Sequence, residues 1–369
     1  MPSARSTVRC VALITGWFCQ ERPLHSGAKL ALPSVFEQTW PNPAKIGTDS
    51  ASAAILLGEA KETIAGHLGI RTDELYFLGE PRLGFHLGIN GLINPGSTFF
   101  HSAVDRAPAF AVADYLRNNS IAQVQEIGVT NKGIVNAFTS STNDVISWQL
   151  VNGETGVIQR AISDSPSRIF VDATSAGARL PLPSNWTTAL WESRAWAGPA
   201  GLGIFALRKN QPWHNPLPHN GQSVVPGSAS LALIVASALA IDSWVADEKL
   251  LQEKILDINL RIRGFIGERI SGAYFATDMS NTTPHLISVS FDDVDEQILM
   301  AKLSDLAIHV DSGSACTADN MQPSHVLKAM DGHVKGNIRL TIHHEITEDE
   351  VDLLLLALEK SVAEIRQIN

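Results

Sequence analysis

Residues 97–129, STFFHSAVDRAPAFAVADYLRNNSIAQVQEIGV, read as a strand, a helix and a second strand in immediate succession. The strands are predicted at Ser97–His101 and Val124–Val129, where apolar and β-branched residues cluster, and the helix at Arg106–Asn118 between them. Similar apolar runs follow further along the chain, at Val145–Val151, Arg168–Ala173 and Leu202–Leu207. This alternation of buried strands and helices predicts an α/β domain whose mainly parallel sheet is covered on both faces.

A helix and a further strand are predicted before this stretch. Asp49 and Ser50 are residue types that cap a helix at its N-terminus, and Gly69 is a typical helix stop. The apolar residues between them follow a helical spacing, at Ile55, Leu56, Ala60, Ile64 and Leu68. The segment Glu74–Leu78 that follows is predicted to be a short strand.

The C-terminal third of the chain predicts a second unit. A long helical stretch runs from about Ser228 to Ile270 and is expected to break near Asp247. After it come predicted strands at His285–Phe291, Ala307–Val310 and Ile338–Ile342, and predicted helices at Asp295–Leu306, Pro323–Met330 and Thr347–Ile365. Thr347 and Glu350 have the spacing of a capping box. We therefore expect an N-terminal extension (1–25), a large α/β domain (26–245) and a small α+β domain (246–369).

The composition is that of an ordinary globular protein, with 44% hydrophobic and 18% charged residues. The formal net charge of -10 argues against nucleic acid or an anionic membrane surface as a partner. Three cysteines, Cys10, Cys19 and Cys316, are widely spaced. Their odd number and spacing indicate neither a disulfide framework nor a metal site, and they favour a reducing, cytoplasmic setting.

Two apolar segments bear on membrane association. Val11–Phe18 follows Arg5 and Arg9, but it is short and lacks a small-residue cleavage site. We interpret it as part of an N-terminal extension that is helical or disordered. Leu231–Ile241 is shorter than the ~20 residues that cross a bilayer, so it is expected to be a buried helix. No membrane association is expected.

The segment 312–327, SGSACTADNMQPSHVL, resembles the loop of the persulfide cysteine in NifS/IscS-like cysteine desulfurases and the helix after it. Asn337–Ile342 resembles the closing strand of that family. In the large domain, Val151–Gln159 and Gly198–Gly203 resemble its Asn-Asn-Glu-Thr-Gly and Gly-Pro-Lys-Gly-x-Gly segments. The segments occur in the family's order, and the resemblance covers roughly residues 26–366.

This resemblance implies the aminotransferase class V version of the pyridoxal-phosphate (PLP)-dependent transferase fold, type I. Such a fold has a large, mainly parallel seven-stranded sheet domain and a small α+β C-terminal domain. The resemblance also implies a homodimer with the site at the interface, and pyridoxal 5'-phosphate as the family cofactor.

The family lysine that binds PLP as a Schiff base lies three residues before Gly-Pro-Lys-Gly, in a Ser-x-His-Lys motif. Counting back from Gly198 places Ala195 at the lysine and Arg194 at the histidine. No lysine occurs anywhere from Gly133 through Arg208. Because a methyl group neither forms an imine nor carries a proton, the resemblance implies a degenerate active site.

The turn that holds the cofactor phosphate is altered as well. In the family a Gly-Ala-Thr turn at a helix N-terminus binds the phosphate through backbone N–H groups. Here the corresponding stretch brings Glu80 and Arg82. Glu80 places negative charge where a dianion would sit, so we expect its carboxylate to occupy this anion site.

The resemblance assigns the remaining contacts position by position. Asn152, Ser175 and Ser228 fall at cofactor-binding positions, and Ser228 would contact the phosphate from the partner chain. Asn152 and His344 fall at substrate-binding positions, and His344 replaces the arginine that clamps the substrate carboxylate. An imidazole cannot reproduce the bidentate fork of a guanidinium group. The binding positions are therefore altered together with the lysine.

Three residues match the family in identity. His101 matches the histidine that stacks on the PLP ring, Asp172 the partner of the ring nitrogen, and Cys316 the cysteine that attacks the substrate sulfur. With the lysine absent, we interpret them as a core histidine, a locally paired carboxylate and a loop cysteine retained by descent. Since a lone buried carboxylate is costly, we expect Asp172 to pair with Arg194, with Trp196 filling part of the ring space.

These observations favour a desulfurase homologue that has lost catalysis, holds no covalent cofactor and acts by binding. Its partners would be another desulfurase or a sulfur-acceptor protein. Two alternatives stay open. Cys316 could accept a persulfide from a separate donor and carry sulfur, or the chain could bind PLP or pyridoxamine phosphate noncovalently.

Overall fold

The computed structural model describes residues 16–160, 162, 164–218, 224–225, 229–313 and 323–368. The strands are β1 (Trp17–Phe18), β2 (Leu75–Leu78), β3 (Thr98–Ser102), β4 (Gln123–Ile127), β5 (Val145–Gln149), β6 (Arg168–Asp172), β7 (Thr188–Glu192), β8 (Gly203–Leu207), β9 (Ala273–Phe275), β10 (Leu286–Phe291), β11 (His309–Val310) and β12 (Asn337–Thr341). The helices are α1 (Ser26–Gln38), α2 (Thr48–Leu68), α3 (Leu83–Phe85), α4 (Ala107–Asn118), α5 (Leu231–Arg269), α6 (Glu296–Asp305), α7 (His325–Ala329) and α8 (Glu348–Ile368).

The large unit is built on a seven-stranded sheet with the strand order β2-β8-β7-β6-β5-β3-β4. Neighbouring strands are parallel except at β8, which is antiparallel to both β2 and β7. The predicted α/β fold with a mainly parallel seven-stranded sheet is confirmed.

Both faces of this sheet are covered, which explains its continuous apolar strands. In β6, Ile169 and Val171 pack in the core layer that contains Ile64 of α2 and Ile241 of α5. Phe170, between them, packs in the opposite layer with residues of α4. Successive side chains of a strand point to opposite faces, so a strand covered on both sides must be apolar at every position.

One strand of the large sheet was not predicted from the sequence. β7 contains Thr188, Ala189 and Glu192, so it lacks the unbroken apolar character of its neighbours. It is nevertheless buried along its whole length, because it lies between β6 and β8. Its burial is set by its place in the sheet.

The small unit has a three-stranded antiparallel sheet of order β12-β10-β9, covered by α6 and α8. The predicted capping box opens α8. The backbone N–H of Thr347 donates to the Glu350 carboxylate at 2.8 Å, and the N–H of Glu350 donates to Thr347 Oγ1 at 3.3 Å. This prediction is confirmed.

Residues 16–25 differ from the expected helical or disordered extension, and that expectation is wrong for them. β1 pairs in parallel with β11, with Trp17 opposite His309 and Phe18 opposite Val310. Phe18 is fully buried in the core of the small unit. Burial of this aromatic side chain stabilises the packed segment relative to a solvated extension, so residues 16–25 are part of the fold.

The expected break near Asp247 is also wrong, since α5 is one continuous helix across the expected domain boundary at 245. The sequence from 231 to 263 contains neither proline nor glycine, which are the usual causes of a break. Asp247 instead lies 2.9 Å from His25 Nε2 and ties the N-terminal segment to the helix. Within the described residues, none of the helices combines the length and the apolar character needed to cross a membrane.

Candidate functional site

A cleft of about 40 Å³ lies beyond the carboxyl ends of three neighbouring strands of the large sheet. Gly153 follows β5, Ser175 follows β6 and Ala195 follows β7, and all three line it. The opposite wall comes from the N-terminal segment and the small unit, through Arg22, His285, Arg339, Thr341 and His343. Carboxyl-end loops of parallel strands are the usual binding edge of an α/β sheet.

Four arginines, Arg22, Arg179, Arg194 and Arg339, line this space, which we call the arginine cleft. Among the described residues, its lining contains no carboxylate and no lysine. The acidic partners lie outside the lining. Arg179 Nε is 3.0 Å from Glu248, Arg194 Nη2 is 2.7 Å from Glu192, and Arg339 Nη2 is 2.6 Å from Asp311.

Arg22 differs from the other three. Its side chain is only 8% exposed, and the carboxylate that pairs with it, Glu345, lies 3.9 Å away on a side chain that is 56% exposed. Arg22 Nη1 donates instead to His343 Nδ1 at 3.0 Å. A cation paired with a distant, solvated carboxylate keeps most of its positive potential.

Two histidines beside these arginines are held neutral. Burial, followed by the charge of Arg22, holds the pKa of His343 well below its usual range. Its Nε2–H donates to the carbonyl of Cys19 at 2.7 Å, which leaves Nδ1 to accept from Arg22. Burial and the charge of Arg179 likewise depress the pKa of His285. The positive charge of the cleft therefore resides on its arginines.

Asp172 has a different partner from the one expected. Its Oδ1 accepts hydrogen bonds from the backbone N–H of Thr174 at 2.9 Å and from Thr174 Oγ1 at 2.5 Å. Thr174 Oγ1 in turn accepts from Arg106 Nη1. Arg194 pairs with Glu192, so the predicted ion pair between Asp172 and Arg194 is wrong. Arg106 reaches the loop after β6 and donates to Thr174, so its link to Asp172 runs through the Thr174 hydroxyl.

Trp196 and His344 face away from the cleft. Trp196 is fully buried in the core and donates from Nε1 to Ser237 Oγ of α5 at 3.2 Å. The expectation that it fills part of the ring space is wrong, since the short helical turn after β7 directs it toward α5. His344 lies 2.7 Å from Glu248 and stacks on Trp244, so it too does not line the cleft.

His101 and Asn152 have structural partners. His101 is buried, packs edge-on against Phe110 at 4.9 Å and does not line the cleft. Asn152 donates to the carbonyl of Val104 and to Gln149, and its Oδ1 accepts from the backbone N–H groups of residues 154 and 155. These contacts occupy the side-chain amide of Asn152 and hold the loop after β5 in place.

Glu80 is exposed, so its carboxylate does not fill an enclosed anion site, although it contacts the turn at which it was expected. Its carboxylate accepts the backbone N–H of Arg82 at 3.0 Å, within its own turn. Arg82 is exposed as well. The other two predicted positions, Ser228 and Cys316, lie outside the described residues.

The cleft floor is tightly packed at Gly153, which falls at the second asparagine of the Asn-Asn-Glu-Thr-Gly segment that this stretch resembles. A Cβ atom added at Gly153 would lie 2.5 Å from Ser175 Oγ, which is shorter than two such atoms tolerate. Ser175 is the predicted site residue that the structure brings directly beside Ala195 and Arg194 in the cleft. No side chain can return at position 153 unless Ser175 moves.

Two buried carboxyl groups near this edge of the sheet, Asp105 and Glu154, predict a pH-dependent stability. Burial raises the pKa of each to about 7. Between about pH 4 and pH 7, each of these carboxyl groups is therefore protonated in the folded state and ionised in the unfolded state. The free energy of unfolding is therefore highest below this pH range. As the pH rises through the range, each group lowers it by up to ~1.4 kcal/mol per pH unit.

The Asp105→Asn variant tests this prediction. We expect it to lose less stability than the unmodified protein between pH 5 and pH 8, as measured by urea unfolding at both values. Asp114→Asn, an exposed substitution on α4, serves as the matched control and should leave the pH dependence unchanged. An identical slope for Asp105→Asn and the unmodified protein would contradict the assignment.

Five charged residues at or beside the cleft were not predicted from the sequence: Arg22, Arg106, Arg179, Glu192 and Arg339. Arg22 was assigned to an N-terminal extension, whereas β1 carries it to the cleft. A usable signal existed for two others, because Glu192 and Arg339 are charged residues within buried strands. Such residues are rare in strand interiors unless they are paired or face a site.

Comparisons with known proteins agree with this architecture. The family model for aminotransferase class-V matches residues 36–354. A cysteine desulfurase of Azotobacter chroococcum is 23% identical over 356 residues, which cover 92% of this chain and 90% of the relative. Cysteine desulfurase IscS of Photorhabdus laumondii is 26% identical over 84% of this chain and 82% of its own length.

Solved structures show the same fold at low sequence identity. A NifS-like protein superposes with a TM-score of 0.84 and 20% identity, over 95% of this chain and 99% of its own. A NifS-like protein from Rickettsia africae gives a TM-score of 0.80 and 18% identity, over 94% and 99% of the two chains. At this level of identity the likeness establishes the fold, and the site has to be argued from its own residues.

Proposed function

This chain belongs to the aminotransferase class-V family, as a homologue of the NifS/IscS cysteine desulfurases, and from that premise we propose that it acts by binding, without PLP catalysis. PLP is the cofactor of the family.

The observation that carries the proposal is the methyl group of Ala195. It lines the cleft at the motif position of the cofactor lysine, and no lysine lines the cleft in the part of the chain that the structure describes. PLP chemistry requires an amine that holds the aldehyde and moves protons on the substrate. Without that amine, the first covalent step has no partner.

The surrounding contacts do not fit PLP either. The carboxylate of Asp172, which would face the ring nitrogen, is already bound by Thr174. Glu192, at the serine of the Ser-x-His-Lys motif, is a buried carboxylate that pairs with Arg194 and, at 3.9 Å, with Arg106. The N–H of Arg82 in the phosphate turn is taken by Glu80. PLP is itself an anion. At this site it would be repelled by the carboxylates, and the N–H of Arg82 would already be occupied.

A PLP-binding experiment tests the proposal. We expect the purified chain, incubated with PLP and then reduced with borohydride, to show no covalent adduct by mass spectrometry and no visible absorbance from a lysine-bound cofactor. We expect Ala195→Lys to remain inactive as a cysteine desulfurase, because the added amine leaves the contacts of Asp172 and Glu192 unchanged. A working desulfurase serves as the positive control.

A covalent adduct on the unmodified chain, or sulfide release from cysteine at the rate of the control enzyme, would overturn the proposal. Sulfane sulfur that appears on Cys316 after incubation with a working desulfurase, and is lost in Cys316→Ser, would replace it with a sulfur-carrier function. The two readouts are separate, because a carrier needs no cofactor of its own.

The proposal includes a homodimer in a reducing, cytoplasmic setting, with another desulfurase or a sulfur-acceptor protein as the partner. Exposed apolar side chains on and after α1 support a protein interface, since Leu30, Trp40 and Ile46 are highly exposed. Large apolar side chains this exposed are candidates for contact with a partner protein. The odd number of cysteines supports the reducing setting.

A further inference from the structure

The charged side chains that line the arginine cleft in the described part of the chain are all cationic, and the carboxylates that pair with them lie outside the lining. Glu248, Glu192 and Asp311 are partly or fully buried and pair with Arg179, Arg194 and Arg339, and the exposed Glu21 lies 3.2 Å from Arg194. Glu248 is shared between Arg179 and His344. Arg22 is left with the exposed Glu345 at 3.9 Å. Buried cations without close counter-charges are costly, and an anionic ligand would relieve that cost.

The cleft also contains buried polar atoms that lack partners among the described residues. His285 Nδ1 and Thr341 Oγ1 have no hydrogen-bond partner, and these residues are only 5% and 6% exposed. Arg194 Nε and Arg339 Nε are unpaired as well. All four residues line the cleft. Buried polar groups are nearly always satisfied in native proteins, so these four atoms leave hydrogen-bonding capacity for a ligand bound in the cleft.

The volume and the charge distribution limit what the ligand can be. A single ordered water needs about 10–15 Å³ of space for its centre, and the cleft has about 40 Å³, so a small ligand that takes the place of about three waters fits. One carboxylate engages one or two guanidinium groups, whereas four are present. Two carboxylates on a short chain would match the four arginines better than one.

The lining further argues against an α-amino acid. An ammonium group needs carboxylate or several carbonyl acceptors, and no carboxylate is among the described lining residues. The carbonyl of Gly153 already accepts from Arg339 Nη1 at 2.8 Å. An ammonium group would therefore be desolvated beside four cations, which is unfavourable.

We propose that the arginine cleft binds a small dicarboxylate in its fully ionised form and rejects the corresponding α-amino acid. This deepens the proposed function and rests on it, since the ligand takes the place of a cofactor–substrate pair. Arg22 and Arg179 form the more buried side of the binding site, and Arg194 and Arg339 form the side nearer the loops after β5 and β7.

Succinate and L-aspartate provide a matched ligand pair, because they differ only by one amino group. We expect isothermal titration calorimetry of the full chain to show succinate binding that weakens with added salt, and binding of L-aspartate that is at least about tenfold weaker. Propionate, with one carboxylate, should also bind at least about tenfold more weakly than succinate. Equal affinity for L-aspartate or for propionate would overturn the proposal.

Substitutions identify the cleft as the site. Arg22→Gln should weaken succinate binding about tenfold or more, as expected for the loss of a charge-assisted contact. Arg194→Gln gives the same test at a more exposed position, should Arg22→Gln fail to fold. Arg71→Gln, an exposed arginine paired with Asp73, is the matched control and should leave affinity unchanged. Unchanged affinity in a folded Arg22→Gln or Arg194→Gln variant would overturn the proposal.

Sodium sulfate supplies the remaining comparison. Sulfate that binds as tightly as succinate and is lost in Arg194→Gln would show a site for an inorganic oxyanion, and the dicarboxylate assignment would be wrong. Failure of this proposal is distinguishable from failure of the proposed function. A chain that rejects both PLP and succinate refutes only the dicarboxylate, whereas a covalent PLP adduct refutes the proposed function whatever succinate does.

Discussion

Glu248→Ala is expected to lower the free energy of unfolding by about 3–5 kcal/mol, the usual cost of removing one partner from a buried ion pair. The Glu248 carboxylate holds Arg179 at 3.0 Å and His344 at 2.7 Å. The Arg179 side chain is 12% exposed and lies with its guanidinium carbon 4.6 Å from the ring centre of Trp244. Without Glu248, this cation stays buried and loses its counter-charge.

Urea unfolding at neutral pH measures this effect, with Glu253→Ala as the control. Glu253 is an exposed residue of the same helix, and its replacement should change stability by less than about 0.5 kcal/mol. A loss below about 1 kcal/mol for Glu248→Ala would contradict the buried network, given the costs known for such pairs.

The effect of Glu248→Ala should also depend on pH. Burial opposes ionisation of Glu248, but the hydrogen bond from His344 and the charge of Arg179 outweigh it and lower the pKa of this carboxyl. A depressed carboxyl pKa contributes stability above the unfolded-state value and loses it as the pH falls through the folded-state value. The difference between the variant and the unmodified protein should therefore shrink in acid.

Trp196→Ala is expected to cost about 3–5 kcal/mol of stability, because it empties a fully buried indole site in the core. The substitution also removes the donor to Ser237 Oγ, which is 2.7 Å from Ser193 Oγ. Trp196→Phe is the matched variant. It keeps most of the volume and loses the hydrogen bond, so we expect a smaller loss of about 1–2 kcal/mol. Thermal or urea unfolding gives both values.

This pair of variants also separates a core role from a role in the cleft. A folded Trp196→Phe protein should bind succinate as the unmodified protein does, because the indole packs toward α5 and not into the cleft. A loss of stability below about 1 kcal/mol for Trp196→Ala, together with weaker succinate binding, would place the side chain in the site instead.

Much of the fold was predictable because its central strands are buried on both faces and some helix ends carry a local signal, although the N-cap of α2 is Gly47 and not Asp49 or Ser50. β5 and β6 were predicted from continuous apolar runs, and the predicted stop of α2 at Gly69 coincides with a left-handed residue at φ +67°. β7 was missed for the opposite reason. Its threonine, alanine and glutamate carry little local signal, and its neighbours supply the burial.

The location of the candidate site was predictable from the sequence, but only some of its residues were. Ala195, Arg194 and Ser175 were named from motif spacing, and the structure brings all three into one cleft. The partner of Asp172 was mispredicted, because its carboxylate is bound by the neighbouring Thr174, and the guanidinium that reaches this loop is that of Arg106, which donates to Thr174. Sequence distance does not measure the reach of a long side chain.

The sequence by itself determined the class of fold and the methyl group at position 195, because strand burial and residue identity can be read from short stretches of the chain. Only the tertiary structure decided which charges meet. It carries Arg22 from the N-terminal segment into the cleft beside Arg179 and Arg339, while it turns Trp196 and His344 away. Coulombic and hydrogen-bond energies depend on separations of a few ångströms between residues far apart in the chain, and only the packed chain fixes those separations.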